Sequence, residues 1–126
     1  MKINWIEANV LAASGIPFSS ADLESLREQG IRAIVTLTEH PLVVPGNMKL
    51  TCLHAPVVDQ CPPNRATVRT VQAFINRMKA EDKPVLVHCH VGIGRTGTML
   101  HAYYLAEGLS LQAAKAKVKA GKPSSQ

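Results

Sequence analysis

One stretch, residues 85–97, combines the residue types needed to bind a phosphate group and to attack it. It reads Val-Leu-Val-His-Cys-His-Val-Gly-Ile-Gly-Arg-Thr-Gly. Gly92 and Gly94 allow backbone angles closed to other residues, so successive N–H groups from His90 to Arg95 can point at one anion. A helix predicted to begin near Arg95 adds the positive end of its dipole, and the planar guanidinium of Arg95 can bind two phosphate oxygens.

Cys89 lies at the focus of these donors. The N–H groups, the helix dipole and Arg95 all favour its charged form, so we expect the pKa of the Cys89 thiol to fall well below the free value of about 8.5. A thiolate beneath a phosphate group is a nucleophile. A structural cysteine at the end of a buried strand would need neither the arginine nor the glycines. The phosphate loop of nucleotide triphosphatases requires Gly-Lys-Ser/Thr, which is absent from this sequence.

The composition describes one folded domain. The chain has 126 residues, of which 46% are hydrophobic and 18% charged, and this fits a single globular domain over residues 1–126. No apolar run approaches the roughly 20 residues of a membrane span, and the N-terminus lacks the apolar core of a signal peptide. The cysteines number three, which argues against a disulfide framework. We therefore expect a cytoplasmic protein without a membrane partner.

The net charge of +5 is concentrated at one end of the chain. Residues 1–109 hold ten basic and nine acidic residues, and the other four basic residues are Lys115, Lys117, Lys119 and Lys122. No aromatic residue lies near these lysines to stack on a base, so they are typical of the solvated face of a helix. The charge pattern therefore disfavours nucleic acid as the partner.

Hydrophobic periodicity and turn residues predict strands that alternate with helices. Residues 5–11 favour one or two short strands, and the β-branched run 31–37, the segment 48–57 and the run 85–88 favour three more. Predicted helices span 20–29, 66–79, 96–107 and 110–120, with Ser or Gly residues at several of their ends. In the third helix Met99, Leu100, Ala102, Tyr103 and Leu105 are expected to be buried, with Tyr104 on the helix surface.

This order of elements predicts an α/β fold with a mostly parallel central sheet and helices on both of its faces. In such sheets a ligand binds at the carboxyl ends of the strands, where Cys89 falls. The loops that follow Leu37 and Val57 open on the same edge. Topology therefore brings Asp59, the acidic residue of a proline-stiffened loop, near Cys89.

The motif His88-Cys89-x5-Arg95-Thr96-Gly97 resembles the signature of the cysteine-dependent protein tyrosine phosphatase superfamily. Within it, the chain is most similar to the small atypical dual-specificity phosphatases, and the similarity covers nearly the whole length. It includes the segments 34–39, 59–63 and 88–100. In that family the acid lies about thirty residues before the cysteine, as Asp59 does here. The resemblance implies a phosphatase fold with the Cys-x5-Arg loop at the carboxyl end of a central strand.

The resemblance also implies a role for each matching residue. Cys89 would be the nucleophile, Arg95 the clamp on the phosphate and the transition state, and Asp59 the general acid and later base. Thr96 would stabilise the departing thiolate, and His88 would order the loop and help to lower the pKa of Cys89. The remaining loop residues, which would bind the phosphate or face the substrate, are His90, Val91, Gly92, Ile93 and Gly94. One departure is the chain's end at Gln126, where family members usually continue into a further helix.

The expected reaction is hydrolysis of phosphotyrosine, and of phosphoserine or phosphothreonine, through a cysteinyl-phosphate intermediate. Two other substrates remain open on this scaffold: a phosphoinositide, disfavoured because His90 and Ile93 stand where lysines are expected, and an RNA 5′-phosphate. A non-catalytic phosphate-binding module is a third possibility. A phosphorylated protein or small aryl phosphate is the expected partner of a monomer, with no cofactor.

The cysteines and acidic residues raise three further possibilities: a metal site, a disulfide and a second general acid. The spacing of Cys52, His54 and Cys61 matches no usual zinc pattern, so no metal is expected. Cys61 could form a reversible disulfide that protects Cys89, but a partly buried place in the proline loop is the simpler interpretation. Glu39, which lies on the same edge of the sheet, is the other acidic residue that could protonate a leaving group.

Overall fold

The structure is a computed structural model that describes residues 1–58, 61–90 and 94–120. Its centre is a five-stranded sheet with the strand order β1-β2-β5-β3-β4. The strands are β1 (Asn4–Glu7), β2 (Leu11–Ser14), β3 (Ala33–Thr36), β4 (Thr51–His54) and β5 (Val85–His88). Strands β2, β5, β3 and β4 are parallel to one another, and β1 pairs with β2 in the antiparallel direction. The predicted α/β class with a mostly parallel sheet is confirmed.

Four helices cover the sheet. They are α1 (Ser20–Glu28), α2 (Arg65–Ala80), α3 (Gly94–Ala106) and α4 (Leu111–Ala120). The Ser19 side chain accepts a hydrogen bond from the Asp22 N–H at the start of α1, and the Asn64 side chain accepts one from the Thr67 N–H at the start of α2.

The sheet separates two hydrophobic cores because successive residues of a strand point to opposite faces. In β5, Leu86 packs with Leu23 and Leu26 of α1 on one face. Val85 and Val87 pack on the other face with residues of α2, α3 and α4. Every residue of β5 is buried. The near-continuous apolar sequence of this strand is therefore explained by burial on both faces.

The structure corrects several predicted details. Strands β3 and β4 are shorter than the predicted runs, and the segment before β4 contains a short 3₁₀ helix at Gly46–Met48. Leu105, predicted to be buried, is 43% exposed, whereas Tyr104, predicted for the helix surface, is buried. The difference arises because α4 and β1 cover the side of α3 that carries Tyr104, whose hydroxyl donates a hydrogen bond to the Glu7 carboxylate.

No helix within the described part of the chain combines the length and the apolar character needed to cross a membrane.

Candidate active site

The carboxyl end of β5 meets the amino end of α3 at the candidate site. Cys89 directly follows β5, and its side chain is buried. Helix α3 begins at Gly94, which places Arg95 and Thr96 in its first turn, and both of these side chains are buried as well. A thiol and a guanidinium thus lie at the end of the central strand and the start of the following helix, where the helix dipole favours an anion.

His88 is fixed by two hydrogen bonds inside the sheet. Its Nε2 lies 2.9 Å from the Thr36 hydroxyl, and its Nδ1 lies 3.3 Å from the carbonyl oxygen of Cys89. A carbonyl can only accept, so Nδ1 carries the proton and donates to Cys89. In the neutral imidazole, Nε2 then accepts from the Thr36 hydroxyl. The Cys89 carbonyl thus selects the tautomer of His88, and the Thr36 hydroxyl holds the other ring nitrogen.

The environment of His88 favours the neutral ring that this tautomer requires. Burial lowers the pKa of His88, the hydrogen bond to the Cys89 carbonyl opposes that shift, and the nearby His90 adds to it. A neutral His88 contributes a directed dipole rather than a positive charge. The expectation that His88 orders the loop is therefore consistent with a hydrogen-bonding role.

Arg95 connects the start of α3 to the segment that follows β4. Its Nη1 donates a hydrogen bond to the carbonyl oxygen of Val57 at 3.2 Å. Val57 is itself held by its N–H, which donates to the Leu37 carbonyl at 3.0 Å. Only Val58 separates Val57 from Asp59 in the sequence. The start of the proline-stiffened loop is thereby fixed against the candidate phosphate-binding arginine.

A cavity of about 420 Å³ opens beside Arg95 on the β3 side. Its deeper wall includes the buried pair Thr36 and His88, and its mouth includes the exposed His90. An apolar wall comes from the loops after β2 and β3, through Ile16, Pro41, Leu42 and Val43. The loop after β2 is tied to the site because the Ile16 N–H donates to the His90 carbonyl at 3.2 Å.

The hydroxyl of Thr96 has an unusual environment. Thr96 is fully buried, and within the described residues its Oγ1 has no hydrogen-bond partner. A buried hydroxyl without a partner destabilises a fold by about 1–3 kcal/mol. A buried hydroxyl of this kind, next to Arg95 in the first turn of α3, is explained if it serves a group that forms only during a reaction.

The structure brings together Cys89, His88, His90, Gly94, Arg95 and Thr96 from the predicted set. The predictions for Asp59, Val91, Gly92 and Ile93 fall outside the described residues. Glu39 is exposed on the rim of the 420 Å³ cavity. Asp82 lines a different cavity together with Glu7 and Lys83, at the amino end of β5. Cys61, expected to be partly buried, is exposed because the proline loop turns it to the surface.

Sequence reasoning missed two contributors to the site. The sequence marks Thr36 only as part of a β-branched run, although the register pairs it with His88 across β3 and β5. The predicted strand 48–57 includes Val57, whereas the carbonyl of Val57 binds Arg95 beyond the end of β4. A threonine inside an otherwise apolar strand was the available signal for the first, since a buried hydroxyl needs a partner.

Residues 12–109 match the family model described as "Polymorphic toxin system, DSP-PTPase phosphatase". The chain belongs to this phosphatase family. It is 32% identical over 108 residues to human dual specificity protein phosphatase 12, which covers 82% of this chain and 32% of that protein. It is 28% identical over 123 residues to phosphatidylglycerophosphate phosphatase PTPMT1 of Arabidopsis thaliana, which covers 92% of this chain and 36% of that protein.

A solved structure, Tk-PTP in its active form, superposes with a TM-score of 0.83 at 28% identity, over 96% of this chain and 84% of that one. The dual-specificity phosphatase resemblance of the sequence is thus confirmed at the level of family and fold. The chain spans about a third of the length of each of these two relatives, 32% of the human protein and 36% of the Arabidopsis protein.

Proposed function

We propose that this phosphatase hydrolyses phosphotyrosine, and less efficiently phosphoserine and phosphothreonine, through a covalent phosphate ester on Cys89. The observation that carries the proposal is the burial of Cys89 and Arg95 at the junction of β5 and α3. A thiol in this position is surrounded by groups that favour its anion. An arginine in the first turn of the helix can bind two oxygens of the same phosphate.

In the first step the Cys89 thiolate attacks phosphorus, a sulfur–phosphorus bond forms and the bond to the leaving oxygen breaks. Asp59 gives its proton to that oxygen, so the leaving group departs as a neutral hydroxyl. Arg95 stabilises the charge that develops on the three remaining oxygens. His88 holds the Cys89 carbonyl and thereby the backbone that aims the sulfur.

In the second step water attacks the phosphorus of the cysteinyl phosphate and the sulfur–phosphorus bond breaks. Asp59, now a carboxylate, accepts a proton from the water, and inorganic phosphate leaves. The departing sulfur carries the electron pair of the broken bond. The Thr96 hydroxyl, which lacks a partner within the described residues, is suited to donate to that thiolate.

Two lines of support favour Asp59 as the acid. Arg95 holds the Val57 carbonyl, and two residues of chain span at most about 7 Å. The prolines at positions 62 and 63 restrict the backbone that follows Asp59 and so lower the entropy cost of holding the loop over the site.

Cys89→Ser tests the covalent mechanism. The serine alkoxide does not form at neutral pH, so turnover of an aryl phosphate should be lost while the fold and phosphate binding remain. Acid quenching of the wild-type protein during turnover should trap a phosphate on Cys89, located by mass spectrometry. Substantial turnover by Cys89→Ser, or a trapped phosphate on another residue, would contradict the proposal.

A lipid phosphate ester is the second candidate substrate. It is favoured by the similarity to the Arabidopsis phosphatidylglycerophosphate phosphatase, which extends over 92% of this chain. Comparing kcat/KM for phosphotyrosine peptides, a short-chain phosphatidylglycerophosphate, phosphoinositides and an RNA 5′-phosphate separates the candidates. A lipid preferred over every phosphopeptide would replace the protein substrate while leaving the mechanism intact.

A further inference from the structure

The loops around the candidate site carry the most exposed apolar side chains found within the described residues. Phe18 is 83% exposed, Val43 is 85% exposed and Val58 is 69% exposed. Each lies on a different loop, after β2, β3 and β4 respectively. Because these strands run parallel to β5, their loops open on the edge of the sheet at which Cys89 lies. We call Phe18, Val43 and Val58 the apolar rim.

The loops that carry the apolar rim are stiffened by proline. Of the eight prolines in the chain, six lie in these loops: Pro17, Pro41, Pro45, Pro56, Pro62 and Pro63. Proline restricts the backbone of the free loop, so less conformational entropy is lost when a partner binds. Large apolar side chains on restricted loops therefore form a surface that can bind a partner with a small loss of conformational entropy.

The charge of these loops limits the kind of partner. Residues 15–19 and 55–64 contain no lysine or arginine, and the loop after β3, residues 37–50, contains a single one, Lys49. A protein that binds an anionic membrane surface normally supplies several basic residues around its inserted apolar side chains. The loops of the apolar rim supply one, so their composition favours an uncharged polypeptide segment over an anionic membrane.

The strand order indicates how such a segment would lie. β5 is flanked by β2 and β3, so Phe18 and Val43 belong to loops on opposite sides of Cys89. Neighbouring strands are about 4.8 Å apart, so β2 and β3 are separated by roughly 10 Å, which an extended peptide crosses in about three residues. A phosphorylated residue over Cys89 would thus direct its neighbours in the sequence toward the loops that carry Phe18 and Val43.

We infer that the apolar rim binds apolar residues on both sides of the phosphorylated residue in a polypeptide substrate. The inference rests on the proposed function, because it takes the phosphate of that residue to be bound at Cys89 and Arg95. The apolar wall of the 420 Å³ cavity, which includes Val43 and Leu42, offers one of the two contact surfaces.

The test uses two phosphotyrosine peptides that are identical except for leucine or serine on each side of the phosphotyrosine. The wild-type protein should prefer the leucine peptide by about tenfold in kcat/KM, with turnover of a small aryl phosphate measured as the reference in every variant. In the double variant Phe18→Ser, Val43→Ser this preference should fall to about twofold or less. Leu111→Ser, which alters a 55% exposed leucine on α4, is the matched control and should keep the preference.

Binding measurements separate a failure of the rim from a failure of the proposed function. Fluorescence anisotropy with Cys89→Ser protein reports the same leucine preference without turnover, so it can be read even if the mechanism is wrong. An equal affinity for both peptides, or a preference that survives in the double variant, would overturn the inference. Two other results would also overturn the inference. If the wild-type protein sediments with phosphatidylcholine or phosphatidylserine vesicles and the double variant does not, the apolar rim binds a membrane. If the wild-type protein self-associates and the double variant does not, the apolar rim binds a second copy of the chain.

Discussion

The Thr36 hydroxyl lies 2.9 Å from Nε2 of His88, and this hydrogen bond joins two adjacent strands beneath the candidate active site. Both residues are buried, and their Cα atoms are register partners in β3 and β5. The contact reaches the candidate nucleophile through Nδ1 of the same ring, 3.3 Å from the Cys89 carbonyl. Thr36, on the neighbouring strand, thereby helps to position the backbone of Cys89.

Replacing Thr36 by valine keeps the shape of the side chain but removes the donor to His88. We expect Thr36→Val to lower the free energy of unfolding by about 1–3 kcal/mol, since Nε2 is left buried without a partner. It should also lower kcat/KM and shift the ¹⁵N resonance of Nε2 toward that of an acceptor without a hydrogen bond, while the Cys89 carbonyl keeps the proton on Nδ1. Thr36→Ser restores the hydroxyl and should recover the wild-type Nε2 shift. An unchanged Nε2 shift in Thr36→Val would show that Thr36 does not bind the ring.

The pH dependence of stability follows from the neutral state of His88. Burial lowers the pKa of His88 in the folded chain, so below about pH 6.5 the unfolded chain binds a proton that the folded chain does not. The contribution of neutral His88 to the free energy of unfolding is therefore fully present above about pH 6.5. It is lost as the pH falls from about 6.5 through the pKa of His88 in the folded chain. The slope from this residue is at most about 1.4 kcal/mol per pH unit.

Denaturant unfolding between pH 5 and 8 measures this slope. The difference in slope between the wild-type protein and His88→Asn isolates the residue, because a lost hydrogen bond alone gives an offset that does not vary with pH. An identical slope in His88→Asn would mean that the pKa of His88 does not differ between the folded and the unfolded chain.

Sequence patterns predict much of this fold because burial on both faces of a strand leaves a direct trace. The run from Val85 to Val87 is apolar at every position, and the loop and helix that follow identify the edge at which Cys89 lies. The starts of helices also leave a signal in the sequence, because side chains such as those of Ser19 and Asn64 accept hydrogen bonds from free N–H groups of the first turn.

Contacts between distant segments produce no local pattern of this kind in the sequence. Tyr104 is buried because Glu7 of β1 accepts a hydrogen bond from its hydroxyl and Lys117 of α4 lies 5.8 Å from its ring centre. These partners come from opposite ends of the chain, so the periodicity of α3 could not reveal them. The bond between Arg95 and Val57 depends in the same way on how far the chain continues beyond β4.

A valine substitution of Thr96 should change the stability of the fold and the rate of the reaction in opposite directions. Its Oγ1 has no partner within the described residues, so Thr96→Val removes a buried unsatisfied hydroxyl and should raise the free energy of unfolding by about 1 kcal/mol. The same change removes the proposed donor to the departing Cys89 thiolate. Breakdown of the cysteinyl phosphate should therefore slow, and rapid-mixing kinetics with an activated aryl phosphate should show a burst followed by a slower steady rate.

Thr96→Ser is the control for this experiment, because it keeps the hydroxyl and removes only a methyl group. It should retain most of the steady rate while losing about 1 kcal/mol of stability to the small cavity. A valine variant that turns over as fast as the wild-type protein would exclude Thr96 from the second step.

The assignment of the acid is tested by the leaving group of the substrate. Asp59 lies outside the described residues, whereas the competing Glu39 lies on the rim of the 420 Å³ cavity and Asp82 lies at the opposite end of β5. A proton helps most when the leaving oxygen is strongly basic, as in tyrosine with its pKa of about 10. Asp59→Asn should therefore slow hydrolysis of phosphotyrosine by at least about a hundredfold and hydrolysis of a highly activated aryl phosphate far less.

The matched variants are Glu39→Gln and Asp82→Asn, which remove the other two carboxylates without changing side-chain size. Each should slow both substrates to the same small extent. The comparison requires kcat at saturating substrate, since a change in binding alone would alter KM for both substrates. If Glu39→Gln instead shows the dependence on the leaving group and Asp59→Asn does not, the proton comes from the loop after β3. The hydrogen bond from Arg95 to Val57 would then serve the fold and not the placement of the acid.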